Sequence, residues 1–375
     1  MNAIAPRLGV QQRVLPSYRA PFFDALAAAC SRGLSVFAGQ PRAEEAIDTR
    51  AELRLARLAS ARNIHLGRGG GYLCYQRGLL GWLRSWDPEA LIVEANPRYL
   101  STPAAVRWMH SRGRAVIGWG LGAPPPGGTL AGLRAAARRT FLSQFDALVT
   151  YSQQGAEQYI RIGFPAERVF VAPNAAAPRP RHPMPARAPY VSPRQLTLLF
   201  VGRLQARKRV DLLLRAVGAL PSERRPHLWV VGDGPERAWL ESLAREVCPD
   251  AAFLGARQGE DLQRLFLGAD LFVLPGTGGL AVQQAMSCGL PVMVAEADGT
   301  QADLVRPENG WQLPPGNLDA LAARLAAALE DPPRLRVMGA ESYRIASQEI
   351  NIERMVAEFA RAVQSAVDWA ERRRS

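Results

Sequence analysis

Lysine is almost absent from this sequence. Of the 46 basic residues in the 375-residue chain, 45 are arginine, and the only lysine is Lys208. A lysine side chain ends in a compact ammonium on a flexible stem, whereas arginine ends in a planar fork. A chain that uses arginine elsewhere and lysine here indicates a position that needs an ammonium. The alternative is a solvated lysine without a function.

Other features are also scarce, and each absence argues against a class of protein. No apolar run reaches the ~18 residues of a membrane-spanning helix. The N-terminus lacks the apolar core of a signal peptide, so we expect a cytoplasmic protein. The four cysteines have no metal-ligand spacing, and we expect small buried thiols. No Gly-x-Gly-x-x-Gly opens the first helix of either half, which argues against a nicotinamide dehydrogenase.

Acidic residues are scarce in the first half of the chain. Residues 1–200 carry 25 Arg against 11 Asp+Glu, a net +14, whereas residues 201–375 carry 21 Lys+Arg against 23 Asp+Glu, a net −2. Such a field attracts anionic partners. Residues 77–86 and 130–142 mix arginine with leucine and aromatic residues, as helices on an anionic membrane do, although ordinary packing helices are the alternative. Without a recognised motif or aromatic platform, we expect no nucleic-acid partner.

Apolar runs alternate with helical patterns through both halves. In the first half, strands are predicted near 8–10 and at 34–39, 90–95, 114–120, 146–152 and 169–174. In the second, strands are predicted at 197–202, 228–234, 251–255, 271–276 and 291–296. Helices are predicted between them at about 209–220, 235–247, 259–268 and 279–289, and from about 317 onward. This alternation predicts an α/β fold with two doubly wound parallel sheets.

A stretch rich in proline and arginine separates the two halves and predicts a domain boundary. We expect a first Rossmann-like domain at 1–176, a linker at 177–194, a second Rossmann-like domain at 195–350 and a C-terminal helix at 351–375. Sheets of this kind bind ligands at the carboxyl ends of their strands, so a cleft between two such domains is expected to hold the substrates. The C-terminal helix is expected to cross back to the first domain.

Four glycine-containing turns follow strands of the second half. They are Gly202-Arg203-Leu204 with Lys208 beyond it, Gly232–Pro235, Gly255-Ala256-Arg257, and Pro275–Leu280, which opens a helix. Glycines at a helix N-terminus let backbone amides approach an anion, and the helix dipole favours negative charge there. Arg203 and Lys208 add two cations, so the turns together predict a diphosphate site.

These motifs carry a resemblance to a known family. The order GRLQARK, GDGPE, FLG, LGADLFVLPG…GLAVQQAMSCGLPV and DLVRPENGW resembles the donor-binding half of family 4 glycosyltransferases, which have the GT-B fold. The resemblance is close over residues 196–316 and looser over 146–174, and the first 145 residues match only in architecture. The first domain would then bind the acceptor and the second the donor.

The resemblance implies a retaining transfer of a sugar from a nucleotide diphosphate sugar, with UDP or GDP, to an acceptor hydroxyl. It implies no cofactor besides the nucleotide sugar as co-substrate, and no essential metal. With the basic first half, we expect the acceptor to be a lipid-linked saccharide or a precursor of lipopolysaccharide or exopolysaccharide. The enzyme would work peripherally at the inner face of the plasma membrane, held there by its basic first domain.

By motif position, Arg203 and Lys208 would be the catalytic residues, because they would bind the diphosphate and stabilise the charge that develops as it leaves. The resemblance implies these donor-binding residues: Gly202, Arg203, Lys208, Gly234, Gly255, Arg257, Gly278, Gly279, Leu280 and Gln284.

Two departures from the family pattern leave alternatives open. Where the family usually has a pair of glutamates at the last donor helix, this chain has Gly276 and Gln284. Where many relatives have a histidine in the first domain, it has Leu121. A non-catalytic nucleotide-sugar-binding subunit, or an epimerase or hydrolase of the same fold, is therefore an alternative.

Acceptor contacts are expected from side chains that follow strands of the first domain. Tyr18 and Arg19 stand at the start of its first helix, and Glu94, Asn96 and Arg98 follow the strand at 90–95. A structural or solvent-facing role is the alternative for each of them.

Overall fold

A computed structural model describes residues 3–45, 47–49, 52–187, 196–296 and 300–373 of the chain. The chain divides into two compact units. The first comprises Met1–Pro178 together with Ile352–Ser375, and the second comprises Arg179–Asn351. The predicted α/β fold with two Rossmann-like domains is confirmed, because each unit contains one fully parallel sheet with helices between its strands.

The first unit is built on a seven-stranded sheet. Its strands and those of a separate hairpin are β1 (Leu8–Val14), β2 (Leu34–Gly39), β3 (Arg57–Ser60), β4 (Arg62–Leu66), β5 (Leu73–Arg77), β6 (Ala90–Glu94), β7 (Ala115–Gly120), β8 (Ala147–Thr150) and β9 (Val169–Val171). Its first five helices are α1 (Ala20–Ala29), α2 (Leu79–Trp86), α3 (Thr102–His110), α4 (Ala131–Leu142) and α5 (Gln153–Arg161). The sheet order is β3-β2-β1-β6-β7-β8-β9, and β4 pairs antiparallel with β5.

The second unit is built on a six-stranded sheet with the order β12-β11-β10-β13-β14-β15. The strands are β10 (Thr197–Val201), β11 (His227–Val231), β12 (Ala251–Gly255), β13 (Leu271–Leu274), β14 (Val292–Ala295) and β15 (Gly310–Leu313). The helices are α6 (Val210–Gly218), α7 (Arg237–Val247), α8 (Gly259–Gly268), α9 (Leu280–Ser287), α10 (Thr300–Leu304), α11 (Leu318–Leu329) and α12 (Pro332–Gln348).

Strand β10 is almost wholly apolar, and β1 begins with an apolar segment, because helices cover both faces of a parallel sheet. Leu8 and Val10 of β1 and Leu198 to Phe200 of β10 are fully buried. Four strands were not predicted: β3, β4, β5 and β15. The side chains of β3 are mostly exposed, and alternate side chains of β4 and β5 point to solvent, so no buried apolar run marks them.

Two sequence features of the first unit have structural explanations. The glycine-rich segment 67–71 joins the two strands of the hairpin. In the segment 77–86, the tryptophans are packing residues and not a membrane-facing stripe. Trp82 is buried and donates to the Ser35 hydroxyl at 3.0 Å, and the Trp86 indole donates to the Leu8 carbonyl at 2.9 Å.

The described part of the predicted linker, up to residue 187, contains no helix or strand. Its last residue, Arg187, belongs to the second unit. The guanidinium donates there to the carbonyls of Cys288 at 2.8 Å and Phe266 at 3.2 Å. The remainder of that prediction, residues 188–194, lies outside the described residues.

The last helix, α13 (Ile352–Arg372), returns to the first unit, as predicted. Its apolar stripe, which includes Met355, Val356, Phe359 and Val363, is buried in the core of that unit. The Phe359 ring lies 4.8 Å from the Trp119 ring and 5.1 Å from the Phe22 ring, measured between centroids. The end of the chain therefore completes the core under β7.

Replacing Phe359 by alanine is expected to destabilise the first unit strongly. The side chain has no exposure, and removing a buried phenylalanine costs about 3–5 kcal/mol, since it leaves a cavity. Calorimetric unfolding of the full chain measures this loss. Leu133→Ala, at a leucine that is 70% exposed in the same unit, is the control and is expected to change stability by less than about 0.5 kcal/mol. Equal effects of the two substitutions would contradict the described packing.

Candidate functional site

The second unit places two of the predicted glycine turns at neighbouring strand ends. In its sheet β10 is flanked by β11 and β13, so the strand order reverses direction beside β10. Ligands of such sheets bind at this reversal point, outside the carboxyl ends of the strands. The turn that follows β10 contains Gly202, Arg203 and Lys208, and the turn that follows β13 contains Gly276 to Gly279.

Lys208 joins these two turns directly. Its ammonium Nζ donates a hydrogen bond to the backbone carbonyl of Thr277 at 2.6 Å. The Thr277 N–H donates to the Arg207 carbonyl at 3.0 Å. Burial, and then the charge of Arg207, lower the pKa of Lys208 to about 8. The turn therefore holds a partly desolvated cation that has no carboxylate within ion-pair distance among the described residues.

Glycine is required at two positions of the turn after β13. A Cβ on Gly276 would lie 2.2 Å from the Arg207 carbonyl oxygen and 2.5 Å from the Lys208 carbonyl carbon. Gly278 has φ +139°, and a Cβ there would lie 2.3 Å from Lys208 Nζ. This explains physically why Gly276 carries no carboxylate, since in this backbone arrangement any side chain would displace the lysine turn.

The turns after β10 and β11 interlock in the same way. The Leu204 N–H donates to the Asp233 carbonyl at 2.9 Å. A Cβ on Gly234 would lie 2.3 Å from the Leu204 carbonyl oxygen. The next turn is tied to these two, because the Gly232 N–H donates to the Gly255 carbonyl at 2.9 Å. Three consecutive strand ends are thus held together by backbone contacts.

The structure places the predicted donor residues in three different surroundings. The structure brings Gly202, Lys208 and Gly278 together, and Gly279 and Leu280 follow directly as the N-cap and first residue of α9. The amide N–H groups of Gly278 to Leu280 have no acceptor among the residues that the structure describes. Arg203, Arg257 and Gln284 are exposed, and no contact joins them to Lys208. Gly234 and Gly255 act through the backbone contacts given above.

One residue near this turn was not predicted. Gln301 of α10 is 1% exposed and donates from Nε2 to the Gly278 carbonyl at 3.1 Å. This hydrogen bond ties the backbone of the turn to α10. No motif in the sequence marks it, because it lies outside the glycine turns.

The first unit contains a cavity of about 560 Å³ at the carboxyl ends of its strands. The strand order reverses here too, between β1 and β6. All five predicted acceptor residues, Tyr18, Arg19, Glu94, Asn96 and Arg98, line this cavity. Further lining residues that we did not predict include Trp119, Arg138, Tyr151 and Asn174. They come from distant parts of the chain, so the sequence gives no local sign of them.

Arg19 is the most enclosed charge of the cavity, with only 5% exposure. Its Nη2 donates to the Asn174 side-chain carbonyl at 2.6 Å. Its guanidinium carbon lies 5.4, 5.6 and 5.2 Å from the ring centroids of Tyr18, Trp119 and Tyr151. Such cation–π contacts orient an arginine without neutralising it.

Glu94 is the one carboxyl among the cavity's lining residues. Burial raises the pKa of Glu94 to about 7, against the opposing effect of the Arg13 backbone N–H that Glu94 accepts and of the Arg13 charge. The Glu94 N–H in turn donates to the Gln11 side-chain carbonyl at 3.1 Å. The carboxyl is therefore positioned by β1 and is protonated in a large fraction of molecules at neutral pH.

Glu94→Gln is expected to change how stability depends on pH. The folded protein binds a proton at Glu94 more tightly than the unfolded chain does, so the contribution of Glu94 to the stability of the wild type falls as pH rises from about 4.5 to 7. Glutamine can keep the hydrogen bond from Arg13 but carries no charge. The quantity compared is the difference in unfolding free energy between Glu94→Gln and the wild type. From pH 4.5 to above pH 7, this difference is expected to shift by about 1–3 kcal/mol in favour of the variant.

Chemical denaturation across this pH range measures the effect. Glu45→Gln is the matched control, because the Arg13 ion pair at 2.8 Å helps to lower the pKa of Glu45 below its ordinary value. That substitution is expected to lower stability at neutral pH and to matter less as pH falls. If the unfolding free energies of the wild type and of Glu94→Gln depended on pH in the same way, the Glu94 carboxyl would not be desolvated in the folded protein.

Two family models match the chain, one on each unit. Residues 9–175 match a glycosyl transferase 4-like domain, and residues 187–345 match glycosyl transferases group 1. Among curated proteins, the chain is 33% identical over 155 residues to the sulfoquinovosyl transferase SQD2 of Arabidopsis thaliana, which covers 39% of this chain and 29% of that protein. It is 40% identical over 126 residues to a GDP-mannose-dependent alpha-mannosyltransferase of Mycobacterium tuberculosis, covering 32% and 30% of the two chains. The matched parts thus span about a third of these relatives.

Solved structures match over nearly the whole chain. Anabaena Alr3699/HepE in complex with UDP superposes with a TM-score of 0.68 and 16% identity, covering 97% of this chain and all of that one. The lipopolysaccharide outer core galactosyltransferase WaaB in its apo form gives 0.69 and 15%, covering 96% and 99%. At such identities the likeness concerns the fold. With both units matched by glycosyltransferase models and this fold, the chain belongs to the GT-B glycosyltransferases of the family 4 type.

Proposed function

We propose that the protein is a retaining glycosyltransferase that moves a sugar from a UDP- or GDP-sugar to a hydroxyl of an acceptor. The observation that carries this proposal is the half-buried Lys208, held against the glycine turn after β13 at the reversal point of the second sheet. An ammonium beside amide N–H groups that have no acceptor among the described residues, at a helix N-terminus, is suited to a diphosphate. The glycosyltransferases whose names mention GDP-mannose, and the structure with bound UDP, support the donor class.

The chemistry requires stabilisation of the leaving nucleoside diphosphate. As the bond between the anomeric carbon and the phosphate oxygen breaks, negative charge grows on the diphosphate. Lys208, with Arg203 from the same turn, would neutralise that charge, while the amides of Gly278 to Leu280 hold the distal phosphate. The acceptor oxygen then bonds to the anomeric carbon, and the leaving phosphate accepts its proton. Because fixed cations supply the charge, we propose that no essential metal or further cofactor takes part.

The acceptor is proposed to bind in the cavity of the first unit. Its aromatic and arginine side chains suit a sugar that carries polar groups on both faces. We propose a lipid-linked saccharide, or a precursor of lipopolysaccharide or exopolysaccharide, as the acceptor. Relatives with such names, an O-antigen chain mannosyltransferase B of Escherichia coli and WaaB, support this class.

We further propose that the enzyme works peripherally at the inner face of the plasma membrane through α4. None of the described helices combines the length and the apolar character needed to cross a bilayer. On α4 and its N-cap, Leu133 is 70% exposed and Leu130 is 52% exposed. Arg134 and Arg139 of α4 each donate only to a backbone carbonyl. Exposed leucines beside arginines without carboxylate partners match an interfacial helix.

A second reading follows from Gly276 and Gln284, which leave the turn after β13 and the outer face of α9 without a carboxylate. The protein could bind a nucleotide sugar without transferring it, or act on the donor alone as an epimerase or hydrolase. Incubation with UDP- and GDP-sugars separates these outcomes. Transfer requires the acceptor, hydrolysis or epimerisation consumes donor without it, and a binding subunit leaves the donor unchanged.

Substitutions of Lys208 test the donor site. Lys208→Met is expected to lower transfer by about 10²–10³-fold, since it removes one preorganised charge. Because Lys208 loses its proton with a pKa near 8, wild-type affinity for UDP or GDP is expected to fall above pH 8, by at most tenfold per pH unit. Lys208→Arg stays charged and is expected to lack that fall. Calorimetric titration from pH 6 to 10 measures both.

The control is Arg215→Met, which removes an exposed cation from the solvent side of α6 in the same unit. It is expected to leave both the affinity and its pH dependence unchanged. Unaltered donor binding in Lys208→Met would overturn the proposed function.

Leu133→Ser tests the membrane contact. Burying a leucine contributes about 1.5–3 kcal/mol, so its loss is expected to weaken binding to vesicles about tenfold or more. The vesicles contain phosphatidylglycerol with phosphatidylcholine, and pure phosphatidylcholine tests the role of charge. Val337→Ser, at an equally exposed apolar residue of α12 (70%), is the matched control. If both substitutions weaken vesicle binding alike, α4 is not the contact surface.

A further inference from the structure

The cavity of the first unit contains a cation whose charge is left uncompensated by its surroundings. Arg19 is 5% exposed, and its hydrogen bonds go to the amide oxygen of Asn174 and, at 3.7 Å, to the sulfur of Met355. Among the described residues, no carboxylate lies within ion-pair distance of it. Every group that holds Arg19 is neutral.

A buried arginine in this state is costly unless something supplies the opposite charge. Buried charges in proteins are normally paired with an opposite charge and fully hydrogen-bonded, because they have left water. A guanidinium has five N–H donors, and the contacts of Arg19 use only two of its nitrogens. The guanidinium lies near three aromatic rings, and Arg19 is itself one of the residues that line the cavity. The missing partner can therefore come from a bound ligand.

The rest of the cavity has the same sign of charge. Arg98 and Arg138 also line it, so three guanidinium groups face one carboxyl, that of Glu94. Arg138 donates to the backbone carbonyl of Pro124 and pairs with no carboxylate in the described part of the chain. Glu94 does not cancel this excess, since burial keeps it protonated in a large fraction of molecules near pH 7. The lining is therefore net positive at neutral pH.

We propose that this cavity recognises its sugar ligand through an anionic group, a phosphate or a carboxylate, which pairs with the guanidinium of Arg19. This inference rests on the proposed function only in identifying the ligand with the acceptor. The planar fork of Arg19 matches the two oxygens of either group. Tyr18, which is 44% exposed and also lines the cavity, provides a ring on which a sugar can stack. The phosphate would belong to a sugar linked to a lipid phosphate, and the carboxylate to an acidic sugar residue.

Direct binding of small sugars to the full-length chain tests the proposal. The probes are glucose 1-phosphate and glucuronate, with glucose as the neutral control, measured by calorimetric titration. The Lys208→Met variant is used as the background, so that a phosphate site in the second unit does not contribute. At least one anionic sugar is expected to bind about tenfold more tightly than glucose. Preference for the phosphate would indicate a phosphate-linked acceptor, and preference for the carboxylate an acidic sugar.

Arg19→Met is expected to abolish the preference for the anionic sugar and to leave weak glucose binding unchanged. Arg139→Met, which removes an exposed arginine of α4 that does not line the cavity, is expected to leave the preference intact. Equal affinities for glucose and the anionic sugars, or an unchanged preference in Arg19→Met, would overturn the proposal.

A replacement variant and two further measurements keep the test decisive. If Arg19→Met does not fold, Arg98→Met at the rim of the cavity takes its place and is expected to reduce the preference about threefold. In the Lys208→Met background, inorganic phosphate is expected to compete with the anionic sugar, and a failure to compete contradicts a phosphate on Arg19. In the wild type, UDP binding that survives Arg19→Met shows the donor site to be intact. Loss of one site is thereby distinguished from failure of the proposed transferase function.

Discussion

The Thr277 N–H donates to the carbonyl of Arg207, and the Lys208 ammonium donates back to the carbonyl of Thr277. This reciprocal contact between two strand ends fixes the position of the one lysine in the chain. It is possible only because the backbones approach more closely than a Cβ on Gly276 would allow. The same kind of contact joins Leu204 to Gly234. The proposed donor site of the second unit is thus organised by close approach of the backbone, which positions Lys208.

In the first unit the corresponding constraint is the C-terminal helix. Phe359 packs against Trp119, and Trp119 in turn lines the cavity and contacts the guanidinium of Arg19. Met355 of the same helix contacts Arg19 directly. The C-terminal helix therefore supports Arg19, a residue of the cavity that lies 336 positions earlier in the sequence. The core residue Phe359 and the cavity-lining residue Trp119 thus belong to one packed layer.

Charge is distributed differently in the two sites. At the proposed donor site, the half-buried ammonium of Lys208 lies among backbone carbonyls and amides, with exposed Arg203 nearby in sequence. In the cavity of the first unit, a nearly inaccessible guanidinium is surrounded by aromatic rings and neutral polar groups. Neither cation has a carboxylate within ion-pair distance among the described residues, so each can pair with an anionic partner. Both sites thus fit phosphate or carboxylate chemistry for the same physical reason.

Much of the fold followed from the sequence. The strand at 34–39 is buried along its length and was predicted with its observed bounds. The strand at 251–255 is only half-buried, but its sequence is an apolar run that ends in glycine, and its bounds were also predicted as observed. The glycine turns and Lys208 are local motifs, which made the family recognisable without a structure. The exposed strands β3 and β4 were missed because their side chains face solvent and carry no apolar pattern.

The sequence by itself determined the α/β architecture, the family and the lysine turn, because each depends on neighbours along the chain. Only the tertiary structure decided which arginines are buried. Arg19 and Arg139 look alike in sequence, yet Arg19 is enclosed by Trp119, Asn174 and Met355, which lie 100 to 336 positions away. It also showed that Trp82 and Trp86 are packing residues. Burial depends on contacts between distant segments, and no local pattern records those contacts.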